Sequence, residues 1–345
     1  MKLKLHAFDL PLAHTFTISR ESLTSQPTLI VELEHEGQRG FGEATANRYY
    51  GFTVESMARA LDALRAQIES TELGDPAAFW QQLQPALQDN PFAHCALDQA
   101  AHDLWGKLRG EPVWKLWGLS RDRLPASDYT IGIDSIEVMV AKLNEFPGWP
   151  IYKIKLGTDR DLEIVRQLRQ HTAATFRVDA NCGWTAEQTL ANGPELKALG
   201  VEFIEQPLAA DRWAEMDRVR AESVLPIIAD ESCIVESDVE RCAGKFHGIN
   251  IKLVKCGGLT PARRMIARAR ELGLSVMVGC MTESTVGISA IAQLLPLLDY
   301  VDMDGAVLLA RDIASGVTLD RGTCRFSDRP GTGAQLLSPG RDPLA

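Results

Sequence analysis

At 345 residues the chain is too long for a minimal module, and it suits one large barrel-type domain or two ordinary domains sharing a core. Apolar residues at 45% and charged residues at 24% place it among globular chains, outside disordered, collagen-like and coiled-coil compositions. Thirty-six Lys and Arg against 46 Asp and Glu leave a net charge of −10 with no basic run, which argues against nucleic acid or an anionic membrane as partner and favours a small molecule.

The first residues contain no apolar stretch ending in a small-residue cleavage site, and no run of about 18 apolar residues follows, so a cytoplasmic protein is expected. In chain order, Leu3–Phe8, Thr28–Glu34 and Gln38–Glu43 read as antiparallel strands, with a turn at Glu36-Gly37. Helices are expected over Val54–Ser70 and Ala93–Leu108, giving an α+β unit over residues 1–118. A repeat then takes over: a short apolar segment closes on a polar residue and an amphipathic stretch rich in Ala, Leu and Arg follows. The segments are Tyr129–Ile133, Ile151–Leu156, Thr175–Ala180, Val201–Glu205, Pro226–Asp230, Ile249–Leu253, Leu274–Gly279 and Tyr300–Asp304. Their starts are 22 to 26 residues apart, room for one strand, one helix and two short loops, so eight units describe a (β/α)8 barrel over residues 119–312. Val317–Ser327 again reads as strand, and residues 313–345 are expected to return to the first unit. Seven scattered cysteines, an odd number with no CxxC pair, indicate free thiols rather than disulfides or a zinc site.

Reactive groups of such a barrel sit where its strands end, so the polar residues closing the segments carry the chemistry. Asp179, Glu205 and Asp230 close three successive strands in the settings VDAN, FIEQP and IADES. Three hard oxygen donors converging from neighbouring strands suit a Mg²⁺ that keeps positions open for substrate. Because side chains alternate along a strand, Lys153 and Lys155 share one face, as do Asn250 and Lys252. The second and sixth strands lie across the barrel from each other, which sets an amine on each side of the three acids. That arrangement serves removal of a proton α to a carboxylate on one face and its return on the other, inverting a stereocentre.

These residues resemble the enolase superfamily, in particular its muconate-lactonizing-enzyme subgroup. YKIKLG, VDANCGW, FIEQP, IADES and NIKLVKCGG fall in order, and the first 118 residues resemble its capping domain. The resemblance implies a (β/α)7β-like variant of the TIM-type barrel, Mg²⁺ on Asp179, Glu205 and Asp230, Lys155 and Lys252 as the acid/base pair, and Lys153 and Asn181 in support. No His follows His247, which disfavours the branch that uses a His base on the seventh strand. Asp302 and Asp304, at i and i+2 on the eighth strand, ask for a cation such as an α-ammonium, and with GCMTESTVGISA they resemble the dipeptide epimerases. The alternative is that one aspartate pairs with a local Arg or caps a helix. The implied reaction is epimerisation of the C-terminal residue of a dipeptide, L-Ala-D/L-Glu from cell-wall peptide in first place. N-acyl amino acid racemisation, o-succinylbenzoate synthesis and muconate cycloisomerisation remain as runners-up on the same scaffold, and a non-enzymatic metal-binding barrel is a distant one. Substrate contacts are expected from loops near Phe16–Glu21 and Thr45–Phe52, with Arg20 reading a glutamate carboxylate or standing as a surface residue, and from Thr130 and Cys280 at the mouth. Tyr49, Tyr50 and Phe52 equally suit an apolar pocket. A homo-oligomer is compatible with all of this.

Overall fold

The computed structural model describes residues 1–19 and 21–344. The chain opens with three antiparallel strands in the order β1 (Lys2–Thr17), β2 (Ser22–His35) and β3 (Gln38–Thr45). The β2–β3 turn is at Glu36-Gly37, both with positive φ (48° and 75°), which matches the right-handed twist of a two-residue hairpin. β1 and β2 run well beyond the expected segments. Their ladder breaks once: between the pairs Pro11↔Ser25 and Phe16↔Leu23, β1 has four residues where β2 has one. The surplus bends the end of the hairpin, and its residues turn to the barrel, with Ala13 N donating to Leu308 O and Leu12 bridging Leu309.

Five helices follow: α1 (Val54–Ala63), α2 (Arg65–Ser70), α3 (Pro76–Leu87), α4 (Pro91–Arg109) and α5 (Val113–Leu116). The single helix expected over 54–70 is thus two, parted at Leu64. α3 was not expected; Asp75 caps its start by accepting from Ala77 N, and Pro85 lies inside it. α4 lies so close to β3 that a Cβ at Gly42 would fall 2.0 Å from Ala96 O and one at Gly40 would fall 2.3 Å from Ala100 O. Glycine is therefore required at both positions.

The second part is a parallel sheet of eight strands in sequence order: β4 (Tyr129–Ile131), β5 (Ile151–Lys155), β6 (Thr175–Asp179), β7 (Val201–Glu205), β8 (Ile227–Ala229), β9 (Gly248–Ile251), β10 (Ser275–Gly279) and β11 (Tyr300–Asp302). A parallel bridge from Ser127 to Val301 and the bond from Met303 N to Ser127 Oγ join the last strand to the first. The intervening helices are α6 (Ile136–Glu145), α7 (Asp161–Arg169), α8 (Ala186–Ala198), α9 (Trp213–Glu222), α10 (Glu236–Cys242), the short α11 (Leu253–Cys256) with α12 (Leu259–Glu271), and α13 (Thr285–Ala292). No helix follows β11 among the described residues, so the eighth unit of a full (β/α)8 barrel is a strand alone and the barrel is (β/α)7β.

The C-terminal stretch differs from the single strand expected over 317–327. It makes two small pairings, β12 (Ala314–Ser315) with β15 (Gln335–Leu336) and the hairpin of β13 (Thr318–Asp320) with β14 (Thr323–Arg325). It also meets the first domain, through the bridges Ala7↔Arg341 and Pro112↔Gly331. One apolar core runs without interruption from Leu3, Leu29 and Ala96 to Ile154, Val178 and Ile291. All seven cysteines are free thiols.

Candidate active site

Strand parity builds the site. Along β7, Phe203 and Glu205 share a face, and Phe203 joins Ile228, Met277 and Tyr300 in an apolar layer inside the barrel. The next inward position on each strand lies nearer the mouth, and there the layer is ionic. Lys153 is fully buried, with Nζ 2.7 Å from Glu205 Oε2, 2.8 Å from Asp302 Oδ2 and 3.3 Å from Asp179 Oδ2. Lys155 Nζ lies 2.7 Å from Asp179 Oδ2, and Lys252 Nζ lies 3.0 Å from Asp230 Oδ2. The two lysines, on β5 and just after β9, thus stand at opposite ends of the row Asp179–Glu205–Asp230, which is carried by the three strands between them, β6 to β8. Asn250 Nδ2 donates to Glu205 Oε1 at 2.7 Å, and Asn181 N donates to Asp179 Oδ1 at 2.9 Å.

One carboxylate oxygen from each of Asp179, Glu205 and Asp230 lies within 4.8 Å of the other two. The donor set is all oxygen, all three residues are buried, and the charges repel: burial and the Asp179 charge push the Glu205 carboxyl up to about 7. Such a set fits a hard divalent cation, which would relieve that repulsion. Burial opposes ionisation of Asp230, but Lys252 and Lys255 outweigh it and hold its carboxyl well below the usual range. Burial likewise works against the Lys153 ammonium, yet Asp302, Glu205 and Asp179 keep it charged far above the ordinary lysine range.

Asp302 and Asp304 differ in their surroundings. Asp302 is ion-paired with Lys153, and Lys153 and Lys155 overcome burial to hold it well below the usual carboxylate range. Asp304 Oδ2 accepts from Thr130 N at 2.6 Å but has no cationic partner among the described residues, and burial followed by the Asp302 charge pushes it up to about 8. The Oδ1 atoms of both aspartates lie 3.9 Å from Cys280 Sγ.

A pocket opens over this layer. Thr130, Lys155, Asn181, Lys252, Cys280, Asp302 and Asp304 form its floor, while Phe16, Ile18, Leu23, Tyr49, Tyr50 and Leu308 form its walls. The bent end of the β1–β2 hairpin is thereby a roof over the barrel mouth. Phe52, expected near the pocket, instead stacks on Phe92 with ring centroids 4.6 Å apart. Arg20 lies outside the described residues. Sequence reasoning missed Lys255, which is fully buried and places Nζ 2.5 Å from Asp230 O, 2.6 Å from Asp230 Oδ1 and 2.8 Å from Cys233 O. The signal was available: a lysine at i+3 from Lys252, among Leu253, Val254 and Cys256, is poorly explained by solvent.

Comparison with known proteins agrees with this geometry. Residues 3–118 match the family model of the mandelate racemase/muconate lactonizing enzyme N-terminal domain, and residues 138–339 match the enolase C-terminal domain-like model. The chain belongs to the mandelate racemase/muconate lactonizing enzyme family of the enolase superfamily. Among its relatives, the L-Ala-D/L-amino acid epimerase of Flavobacterium johnsoniae is 59% identical over 98% of this chain and 100% of its own length. The substrate-liganded L-Ala-D/L-Glu epimerase of Bacillus subtilis superposes with a TM-score of 0.92 at 28% identity, covering 97% of this chain and 99% of that one. A dipeptide epimerase of Methylococcus capsulatus, complexed with Mg and the dipeptide L-Arg-D-Lys, gives 0.89 at 34% identity over 97% and 99%.

Proposed function

We propose that this member of the family is a Mg²⁺-dependent dipeptide epimerase that inverts the α-carbon of the C-terminal residue of an L-Ala dipeptide. The observation that carries the reading is Asp304, a buried carboxyl group beside Asp302 on the pocket floor that has no cationic partner among the described residues, at the far side of a row of acids flanked by two lysines. A free α-ammonium supplies the missing charge; an N-acyl amide or a cyclic acid does not.

Asp179, Glu205 and Asp230 would hold the ion, which when bound stabilises negative charge developing on the substrate carboxylate. Lys155 and Lys252 exchange the α-proton, one from each side. Lys153 stays protonated among three carboxylates, and Asn181 steadies Asp179. Thr130 and Cys280 hold the two aspartates that receive the ammonium. The walls from Phe16, Ile18 and Leu23 accept apolar C-terminal side chains, and an acidic preference depends on Arg20. In this reading residues 1–118 cap the barrel of residues 119–312, and residues 313–345 tie the two together. The free thiols fit a reducing compartment, where dipeptides released from cell-wall peptide would be met.

The test is α-proton exchange in D₂O with Mg²⁺ over L-Ala-L-Glu, L-Ala-L-Leu and their N-acetyl derivatives. Deuterium should enter the C-terminal residue of the free-amine dipeptides alone. Exchange confined to the N-acetylated compounds would move the reading to N-acyl amino acid racemisation.

A further inference from the structure

Glu43 belongs to β3 of the capping domain, is fully buried, and pairs with no Lys or Arg among the described residues. Its carboxylate is instead saturated with neutral donors. Oε1 accepts from Thr28 Oγ1 at 2.8 Å and from Ser284 N at 3.1 Å, while Oε2 accepts from Ser284 Oγ at 2.5 Å, Ser284 N at 3.1 Å and Gly287 N at 3.0 Å. A buried carboxylate is costly to keep unless each lone pair is used, and here three of the bonds reach across to one barrel residue.

That residue ends the loop between β10 and α13. Ser284 is the N-cap of α13, and the loop behind it carries Cys280, Met281 and Thr282 into the pocket. The loop is tied within itself by Met281 N on Glu283 Oε1 at 3.1 Å, and Glu283 packs so closely on Gly287 that a Cβ there would fall 2.0 Å from its Oε2. On the other side, β3 runs from Glu43 to Thr45 and leads into Asn47, Tyr49 and Tyr50, which line the same pocket.

We infer that Glu43 is a positioning residue for substrate: a single capping-domain carboxylate clamps two pocket-lining segments, Asn47–Tyr50 and the Cys280–Thr282 loop that ends at Ser284, at a fixed separation. It touches neither the proposed metal ligands nor the lysines. It therefore sets how well a dipeptide is held, and leaves the proton-transfer machinery alone. The inference rests on the dipeptide reading for its substrate and on geometry for the clamp.

Glu43→Gln keeps the shape but turns one acceptor into a donor facing donors. With L-Ala dipeptides it should raise KM by about tenfold or more, since charge-assisted bonds are lost, while kcat stays within about threefold. Mg²⁺ affinity by calorimetry should be unchanged. Amide hydrogen exchange over residues 280–287 should speed up while the barrel strands keep their protection. Ser284→Ala removes both the hydroxyl contact to Glu43 and the cap bond that Ser284 Oγ accepts from Val286 N; with the two backbone N–H bonds to Glu43 kept it should raise KM by less, and it serves if Glu43→Gln does not fold. An unchanged KM, or a parallel decline of kcat, Mg²⁺ affinity and protection everywhere, overturns the clamp. If the parent protein turns over no dipeptide, the functional reading falls, and local exchange over 280–287 still decides whether the clamp exists.

Discussion

Asp304 and Asp302 are two residues apart, yet their neighbours push their carboxyls in opposite directions, and this has a measurable consequence. Burial and the Asp302 charge push the Asp304 carboxyl up to about 8, so in the proposed reading it would have to give up a proton, below that pH, to pair with a substrate ammonium. Affinity for a free-amine dipeptide should therefore rise with pH up to about 8. It should fall beyond that as the dipeptide's own amine, at about 7.7 to 8.0, loses its charge. Calorimetry at pH 7 in buffers of different ionisation enthalpy should show net proton release on binding, and Asp304→Asn should abolish it. The same substitution should lower kcat/KM for free dipeptides roughly 10- to 150-fold, the worth of a charge-assisted bond, and relieve the penalty against N-acetyl analogues; equal losses on both would assign Asp304 a structural role. For the lysines, Lys155→Ala and Lys252→Ala should each stop epimerisation while retaining α-deuterium exchange of opposite epimers, read by NMR. Retention of the same epimer by both would contradict their opposed placement. These residues were legible in the sequence because each closes or flanks a barrel strand, where parity alone gives direction. Lys255 lies in the short helix after a strand, where parity gives no direction and only its apolar neighbours betray it, and Glu43 was not legible, since it reaches 241 residues along the chain to Ser284.

Among the elements, the eight barrel strands were legible within one or two residues, because each is a buried apolar run bounded by polar groups. The long hairpin of β1 and β2 was read short. Its outer half holds Pro11 and the irregular ladder, so the alternation that marks a half-buried strand is interrupted where the chain bends. α3 was hidden by its interior Pro85, and the helix over 54–70 is parted where no sequence breaker stands. Packing of β3 on α4 gives a prediction at this scale. Gly42→Ala should destabilise the protein by about 1 to 3 kcal/mol or more, the usual cost of overpacking, because the clash is with backbone that has no rotamer to change. Thermal unfolding measures it, and a Tm equal to the parent's would refute the close approach.

At the scale of the molecule, the two domains are bound by more than a shared apolar core. Trp80 Nε1 donates to Gly257 O at 2.8 Å, Asp98 accepts from Thr260 N at 2.8 Å, and Asp103 accepts from Thr332 N at 2.8 Å. The last joins the capping domain to the C-terminal stretch. Calorimetry should accordingly show one cooperative unfolding transition, and removal of residues 313–345 should lower the stability of both domains together. Two separate transitions in the parent protein would contradict that.

The irregularity between Pro11 and Phe16 has a further consequence, for descent rather than for stability. The groups proposed to move the proton are fixed by the parity of the barrel strands, whereas the roof above them hangs from a stretch where strand pairing has already lapsed. Insertions, deletions and replacements there leave the register below undisturbed. The molecule thus keeps an inherited reaction and a revisable choice of reactant in separate stretches of its sequence, so a lineage can exchange diets without relearning its chemistry.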